Sequence, residues 1–257
     1  MTDKILSIDG VTVNFGTFCA ISDVSLDVRL GSITGLIGPN GAGKTTLFNA
    51  ITGGCRPSFG KVTLSGENVT GFSPEKLFTM GLGRTFQIPR PFARMSVLEN
   101  LMLAPLNQIG ERLDGPFLFH RAMNLQESDI RKRAMEVLEF MMLAELADHP
   151  AGKISGGQMK LLELARLLMG DPQIILLDEP AAGINPMLAG TLIRKIEELN
   201  QLGKTFVIIE HDMDFIMHHC DPIIALAQGS LVFEGNAEEA QSDKALIKAY
   251  LGTSTDD

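Results

Sequence analysis

The run Gly38-Pro39-Asn40-Gly41-Ala42-Gly43-Lys44-Thr45 constrains this chain more than any other stretch. It follows an apolar segment, Ile33-Thr34-Gly35-Leu36-Ile37, and it leads into Thr45–Ile51, which reads as a helix. A strand, a glycine-rich loop and a helix in that order make an anion cradle. The glycines let the backbone curl so that successive N–H groups point inward, and the start of the helix adds its positive dipole end. The spacing G-x-x-x-x-G-K-[ST] brings an ammonium, Lys44, to the β- and γ-phosphates of a nucleotide and a hydroxyl, Thr45, to Mg²⁺. Gly38, Pro39, Asn40, Gly41, Ala42, Gly43, Lys44, Thr45 and Thr46 are therefore the candidate phosphate-binding residues. A chance glycine-rich turn is the plain alternative. It does not account for four specified positions and both flanking elements together.

A second segment complements the first. Ile174-Ile175-Leu176-Leu177 is followed at once by Asp178-Glu179. A continuous apolar run reads as a strand buried on both faces, the pattern of a parallel sheet covered by helices. Such a strand would deliver Asp178 beside the phosphate loop, where it would hold Mg²⁺ directly or through water. Glu179, one residue on, would polarise the attacking water as general base. An ordinary strand ending in solvated acids is the plain alternative.

Around these two motifs the chain has a clear order. Residues 4–35 alternate in short bursts with Gly and Asp between them, as in an antiparallel sheet, and Lys61–Leu64 reads as a further strand. Residues 73–83 suggest a short helix with Ser73 as cap and Pro74 at its first position. Residues 103–125 are the least regular part. Residues 127–148 read as a helix, with Ile130, Ala134, Val137, Leu138, Met141 and Met142 at core spacing. Ser155–Met169 reads as another, opened by the capping box Ser155-Gly156-Gly157-Gln158 and stopped by Gly170. A helix over Pro186–Leu202, a buried strand at Phe206–Ile209 and a hairpin at Ile223–Ala227 and Ser230–Phe233 follow. The expected fold is α/β: a phosphate-loop (P-loop) ATPase core with an antiparallel β subdomain and a helical insertion subdomain. We expect one domain over residues 1–257, with the core at about 1–89 and 169–240, the helical part at about 90–168 and a short tail at 241–257.

Composition narrows the function. With 45% hydrophobic residues the chain can build a real core, so disorder is excluded for its bulk. A net charge of −9 argues against a nucleic-acid partner. Cys19, Cys55 and Cys220 have neither metal spacing nor a disulfide framework, which fits a reducing compartment. Met1-Thr2-Asp3-Lys4 enters an alternating segment rather than a signal peptide, and no run of about 18 apolar residues is present to span a membrane.

Phosphate loop and acidic strand are shared by many ATPases and GTPases. Ser155-Gly156-Gly157-Gln158, placed before a long helix, Asp171-Pro172 and the acidic strand, distinguishes among them. This order resembles the ATP-binding cassette (ABC) family, whose signature is L-S-G-G-Q; Ile154 stands here for Leu. The resemblance covers residues 4 to about 235. It implies that Phe15 stacks on adenine and that Gln87 touches Mg²⁺ and senses a membrane subunit. It implies that His211 contacts the γ-phosphate, and that Ala182-Gly183-Ile184-Asn185 replaces a loop usually ending in Asp. His120, His149, His218 and His219 match no motif and read as surface or packing residues.

In this family two cassettes pair head to tail, with each ATP between one phosphate loop and the other's Ser155, Gly156, Gly157 and Gln158. The resemblance therefore implies ATP and Mg²⁺ as ligands, with a second ATPase subunit, identical or related, as partner. Integral membrane permease subunits and, indirectly, a solute-binding protein are implied too. The expected place is the cytoplasm, peripheral on the inner face of the cell membrane. Gly81–Pro89, Leu176–Asn185, Glu210–Met213 and Ala249–Gly252 look like the branched-chain amino-acid uptake family, with Gln87 and the segment Pro89–Val97 carrying the coupling. Urea or aromatic-acid uptake is the near alternative. A cassette ATPase of DNA repair or translation is the distant one, since no coiled-coil insertion, zinc module or tandem cassette is visible.

Overall fold

The computed structural model describes residues 4–85, 91–106, 108, 109, 120–243 and 246. They fall into two compact units. One takes Gln173–Pro180 together with the described residues through Arg84 and from Ile196 onward; the other takes those of Thr85–Pro172 and Ala181–Lys195.

The first unit contains two sheets. β1 (Lys4–Phe15), β2 (Phe18–Arg29), β4 (Phe59–Leu64) and β5 (Glu67–Asn68) form an antiparallel sheet in the order β2-β1-β4-β5. Alternation decides which face is buried: Val24, Leu26 and Val28 point inward along β2. β3 (Ile33–Ile37), β6 (Leu82–Arg84), β7 (Ile174–Asp178), β8 (Thr205–Ile209), β9 (Ile223–Ala227) and β10 (Ser230–Gly235) form the second sheet in the order β10-β9-β3-β8-β7-β6. Its strands run parallel except β10, which returns antiparallel on β9. β7 and β8 are buried along their whole length, as their unbroken apolar runs require.

Helix α1 (Lys44–Ile51) packs into the core between these sheets' apolar residues. Its Leu47 and Phe48 share one cluster with Ile8, Val13 and Ile21 of the antiparallel sheet and with Leu176, Val207 and Ile209 of the parallel one. Phe48 is fully buried, and truncating a phenylalanine so placed costs about 3–5 kcal/mol. The phosphate loop at the start of α1 is thus seated on a buried core cluster.

The helix expected at 73–83 is shorter. Ser73 caps Lys76 N and Pro74 opens α2 as expected, but α2 ends at Thr79. Gly81 then takes a φ of 91°, and Leu82–Arg84 pairs in parallel with Ile174–Leu176 as the edge strand β6. Three residues are too few to show a period, so β6 exists because β7 offers it a ladder.

The second unit is helical. It holds α3 (Val97–Met102), α4 (His120–Phe140) and α5 (Gly156–Met169). The next helix, α6 (Pro186–Gln201), belongs to it through Lys195. Ser96 and Glu99 form a capping box on α3. The helix expected over 127–148 starts earlier and stops at Phe140. Leu143 N donates to Leu138 O and Met142 N to Glu139 O, while Met142 takes a φ of 58°. That is the two-bond left-handed stop usually made by glycine, made here by methionine. In consequence Met142 is 68% exposed and is not a core residue, whereas Ala134, Leu138 and Met141 are fully buried. Helices α7 (Met213–His219) and α8 (Ala237–Ser242) complete the first unit. Among the described residues no helix is long and apolar enough to cross a membrane.

Candidate active site

The loop leaves β3 at Gly38 and enters α1 through Gly43. Both glycines are needed. A Cβ on Gly38 would collide with Leu226 O, and one on Gly43, at φ 100°, would lie 2.6 Å from Ile21 Cδ1 and 2.8 Å from Ala20 O. No side chain caps α1, so its first-turn N–H groups are offered to whatever occupies the loop. Lys44 is buried and folds back along the loop, its Nζ donating to Gly38 O at 2.7 Å and Pro39 O at 3.1 Å. Burial pushes its ammonium below the usual lysine range, and the carboxylates of Glu179 and Asp178 pull it back up.

A cavity of about 290 Å³ opens over this loop. Asn40, Gly41, Ala42, Gly43, Lys44, Thr45 and Thr46 form one wall, and Phe18, Ala20, Glu179 and His211 complete it. The structure thus brings together most of the phosphate-loop residues and both candidate hydrolytic residues.

Glu179 follows β7 and His211 follows β8, the neighbouring parallel strand. His211 Nε2 lies 2.8 Å from Glu179 Oε1, and Glu179 N donates to Ile209 O at 2.9 Å. Glu179 adopts a φ of 50°, an uncommon conformation for a residue with a side chain. Asp178, the last residue of β7, is only 4% exposed and pairs with Arg84 Nη2 at 3.2 Å. Burial pushes its carboxyl above the ordinary range, while Arg84 and Lys44 oppose the shift.

Ser155, Gly156, Gly157 and Gln158 belong to the second unit, at the start of α5. The expected capping box is present: Gln158 N donates to Ser155 Oγ at 3.3 Å, and Ser155 N donates to Gln158 Oε1 at 2.8 Å. Gly157 faces Leu188, whose Cδ1 would lie 2.6 Å from an added Cβ. Asn185 Oδ1 accepts from Leu188 N at 2.9 Å and so helps start α6. Gln87, and the segments Phe86–Arg90 and Ala249–Gly252, lie outside the described residues.

Phe15 is not in the cavity wall. It pairs across the β1–β2 hairpin with Phe18, and Phe18 is the aromatic ring that lines the cavity. Phe15 and Phe18 stand three residues apart and face each other across the hairpin, and nothing in the sequence singled out Phe18. Arg84, with Asn49 and Thr52 as partners, carries no role in the sequence analysis. Arg84 lies in the stretch Gly81–Pro89 that carries the family resemblance, but nothing local in that stretch names its partners.

The family profile described as ABC transporter matches residues 21–182. The probable branched-chain amino acid transport ATP-binding protein LivG of Archaeoglobus fulgidus is 39% identical over 252 residues, covering 97% of this chain and 96% of the relative. Among solved structures, the ADP conformation of an ATP-binding cassette of an ABC transporter matches with a TM-score of 0.82 and 36% identity, covering 98% of this chain and 100% of that one. A dimeric post-hydrolysis ATP-binding cassette bound to ADP and Pi matches with a TM-score of 0.73 and 26% identity, covering 90% and 98%.

Proposed function

Since this chain belongs to the ATP-binding cassette (ABC) transporter family, ATPases that couple hydrolysis to transport, we propose that it powers the uptake of branched-chain or other hydrophobic amino acids. The near full-length likeness to a LivG protein carries the choice of solute. The cavity that gathers Lys44, Thr45, Glu179 and His211 supports the chemistry. The dimeric relative supports a pair of cassettes as the working unit. Membership of a transporter family supports membrane permease subunits and, indirectly, a solute-binding protein as further partners. On this reading the chain works at the cytoplasmic face of the cell membrane. Phe92, which is exposed, and Met95 are the candidates for contact with a permease.

The donors suit Mg²⁺. It prefers hard oxygen ligands and takes one or two from protein beside those of the substrate phosphates. The Thr45 hydroxyl and the Asp178 carboxylate are such donors. Among the described residues no group of three or more His, Cys, Asp or Glu is placed to cage a metal alone. When bound with ATP, the ion would offset charge developing on the phosphates.

The chain's own residues do the rest. The N–H groups of the loop and of α1 hold the phosphates. Lys44 exchanges its bonds to Gly38 O and Pro39 O for phosphate oxygens. Glu179 accepts the proton of the attacking water at its carboxylate, and His211 orients that carboxylate through the 2.8 Å contact. The N-terminus of α5, with Ser155, Gly156, Gly157 and Gln158, would offer its N–H groups to the γ-phosphate held by the other cassette, so ATP favours the closed pair.

Two measurements test this. ATP binding should be lost in Lys44→Ala, where the compact charge facing the triphosphate is gone; affinity within about twofold of the parent rejects the site. Leucine uptake by vesicles carrying the chain with its permease should require ATP. ATP-driven uptake of urea or an aromatic acid, but not leucine, would overturn the solute alone.

A further inference from the structure

Arg84 ends β6 and ties two parts of the first unit together. Its Nη1 donates to Asn49 Oδ1 at 2.6 Å and to Thr52 Oγ1 at 3.0 Å, and its Nη2 pairs with Asp178 Oδ2 at 3.2 Å. Its guanidinium carbon also lies 5.6 Å from the Phe48 ring centroid. Asn49 is on α1 and Thr52 caps its end. One side chain therefore links the carboxylate at the tip of the acidic strand to the helix that begins at the phosphate loop.

The arrangement selects arginine. Its planar fork presents several donors in fixed directions, so one group satisfies the carboxylate on one side and two oxygens on the other. A lysine ammonium in the same place would reach one side or the other. The pair is well buried, with Arg84 13% and Asp178 4% exposed, and among the described residues the Arg84 Nε has no hydrogen-bond partner. Buried ion pairs contribute little net stability against apolar replacements, so stability alone is a weak reason for this contact. What the contact does is join the Asp178 carboxylate to α1 through a single side chain.

We propose that Arg84 is a positioning residue for Asp178, holding its carboxylate in the orientation that receives Mg²⁺ together with the nucleotide. The inference rests on the nucleotide site proposed above. It assigns Arg84 no contact with ATP.

The test compares ADP affinity with and without Mg²⁺ by calorimetry, and Mn²⁺ binding to the ADP complex by electron paramagnetic resonance. The parent, Arg84→Met, Arg84→Lys and Thr52→Val are compared. Arg84→Met should keep metal-free ADP affinity within about twofold, yet lose roughly 10–100-fold in metal affinity, the usual effect of removing a partner behind a metal ligand. Arg84→Lys should fall between that variant and the parent. Thr52→Val leaves the Arg84–Asp178 pair in place and should show a smaller loss of the same sign, which keeps the test open if Arg84→Met does not fold. Parental metal affinity in these variants overturns the proposal. So does tighter metal binding, which would make Arg84 a competitor of the ion. Equal loss of ADP affinity with and without metal would reduce Arg84 to a structural residue. A parent that binds no ADP at all would instead overturn the nucleotide site itself.

Discussion

His211 Nε2 sits 2.8 Å from Glu179 Oε1, joining two side chains that each lie just past the end of neighbouring parallel strands. Asp178 is in register with Ile209, and the ladder extends one step further through Glu179 N and Ile209 O. At Glu179 the backbone turns to φ 50°, so two consecutive acids enter different surroundings. Asp178 is buried against Arg84, and Glu179 faces His211 and the cavity. Adjacent carboxylates in separate environments can take separate roles, one for the ion and one for the water.

Glu179→Gln should retain ATP binding and slow hydrolysis by roughly 10²–10⁴, the usual worth of a general base. The amide keeps the size of the side chain and a contact with His211 but accepts no proton. Phosphate release measures the rate. Size exclusion with ATP should show a persistent dimer, because the nucleotide that holds it is no longer consumed. Hydrolysis at the parental rate would remove Glu179 from this role.

Phe18→Ala should weaken ATP binding by about 1–3 kcal/mol, the range for stacking of a base on an aromatic ring. Phe15→Ala should change it little, since Phe18 lines the cavity and Phe15 does not. Titration of both variants decides between them. If Phe15→Ala is the damaging one, the hairpin must rearrange when nucleotide binds.

Cys220 links stability to alkaline pH. Burial, reinforced by the negative charge of Glu210, pushes its thiol up to about 12 from an ordinary 9.0. The folded chain thus keeps a proton that the unfolded chain releases, so stability present below pH 9.0 is lost as pH climbs toward about 12. At about pH 10.5 this amounts to about 2 kcal/mol. Denaturant titrations at about pH 8 and about pH 10.5 should show the parent losing about that much more than Cys220→Ala. Equal losses in the two proteins would dismiss Cys220 as the source.

The local chemistry of this protein was written in its sequence. The phosphate loop, the two acids after β7, the Ser155 capping box and the apolar runs of β7 and β8 are all short-range patterns. Glycine geometry, helix capping and two-face burial act over a few residues, so a few residues suffice to announce them. Tertiary structure decided what depends on a distant partner. β6 forms because β7 lies beside it, Met142 turns outward because Leu138 and Leu143 close the end of α4, and Phe18, not the Phe15 it faces across the hairpin, lines the cavity. Arg84 meets Asp178 across 94 positions of sequence, and His211 meets Glu179 across 32. No local period encodes such meetings. They follow from which strands lie side by side in the sheet, and that is settled only when the whole core packs.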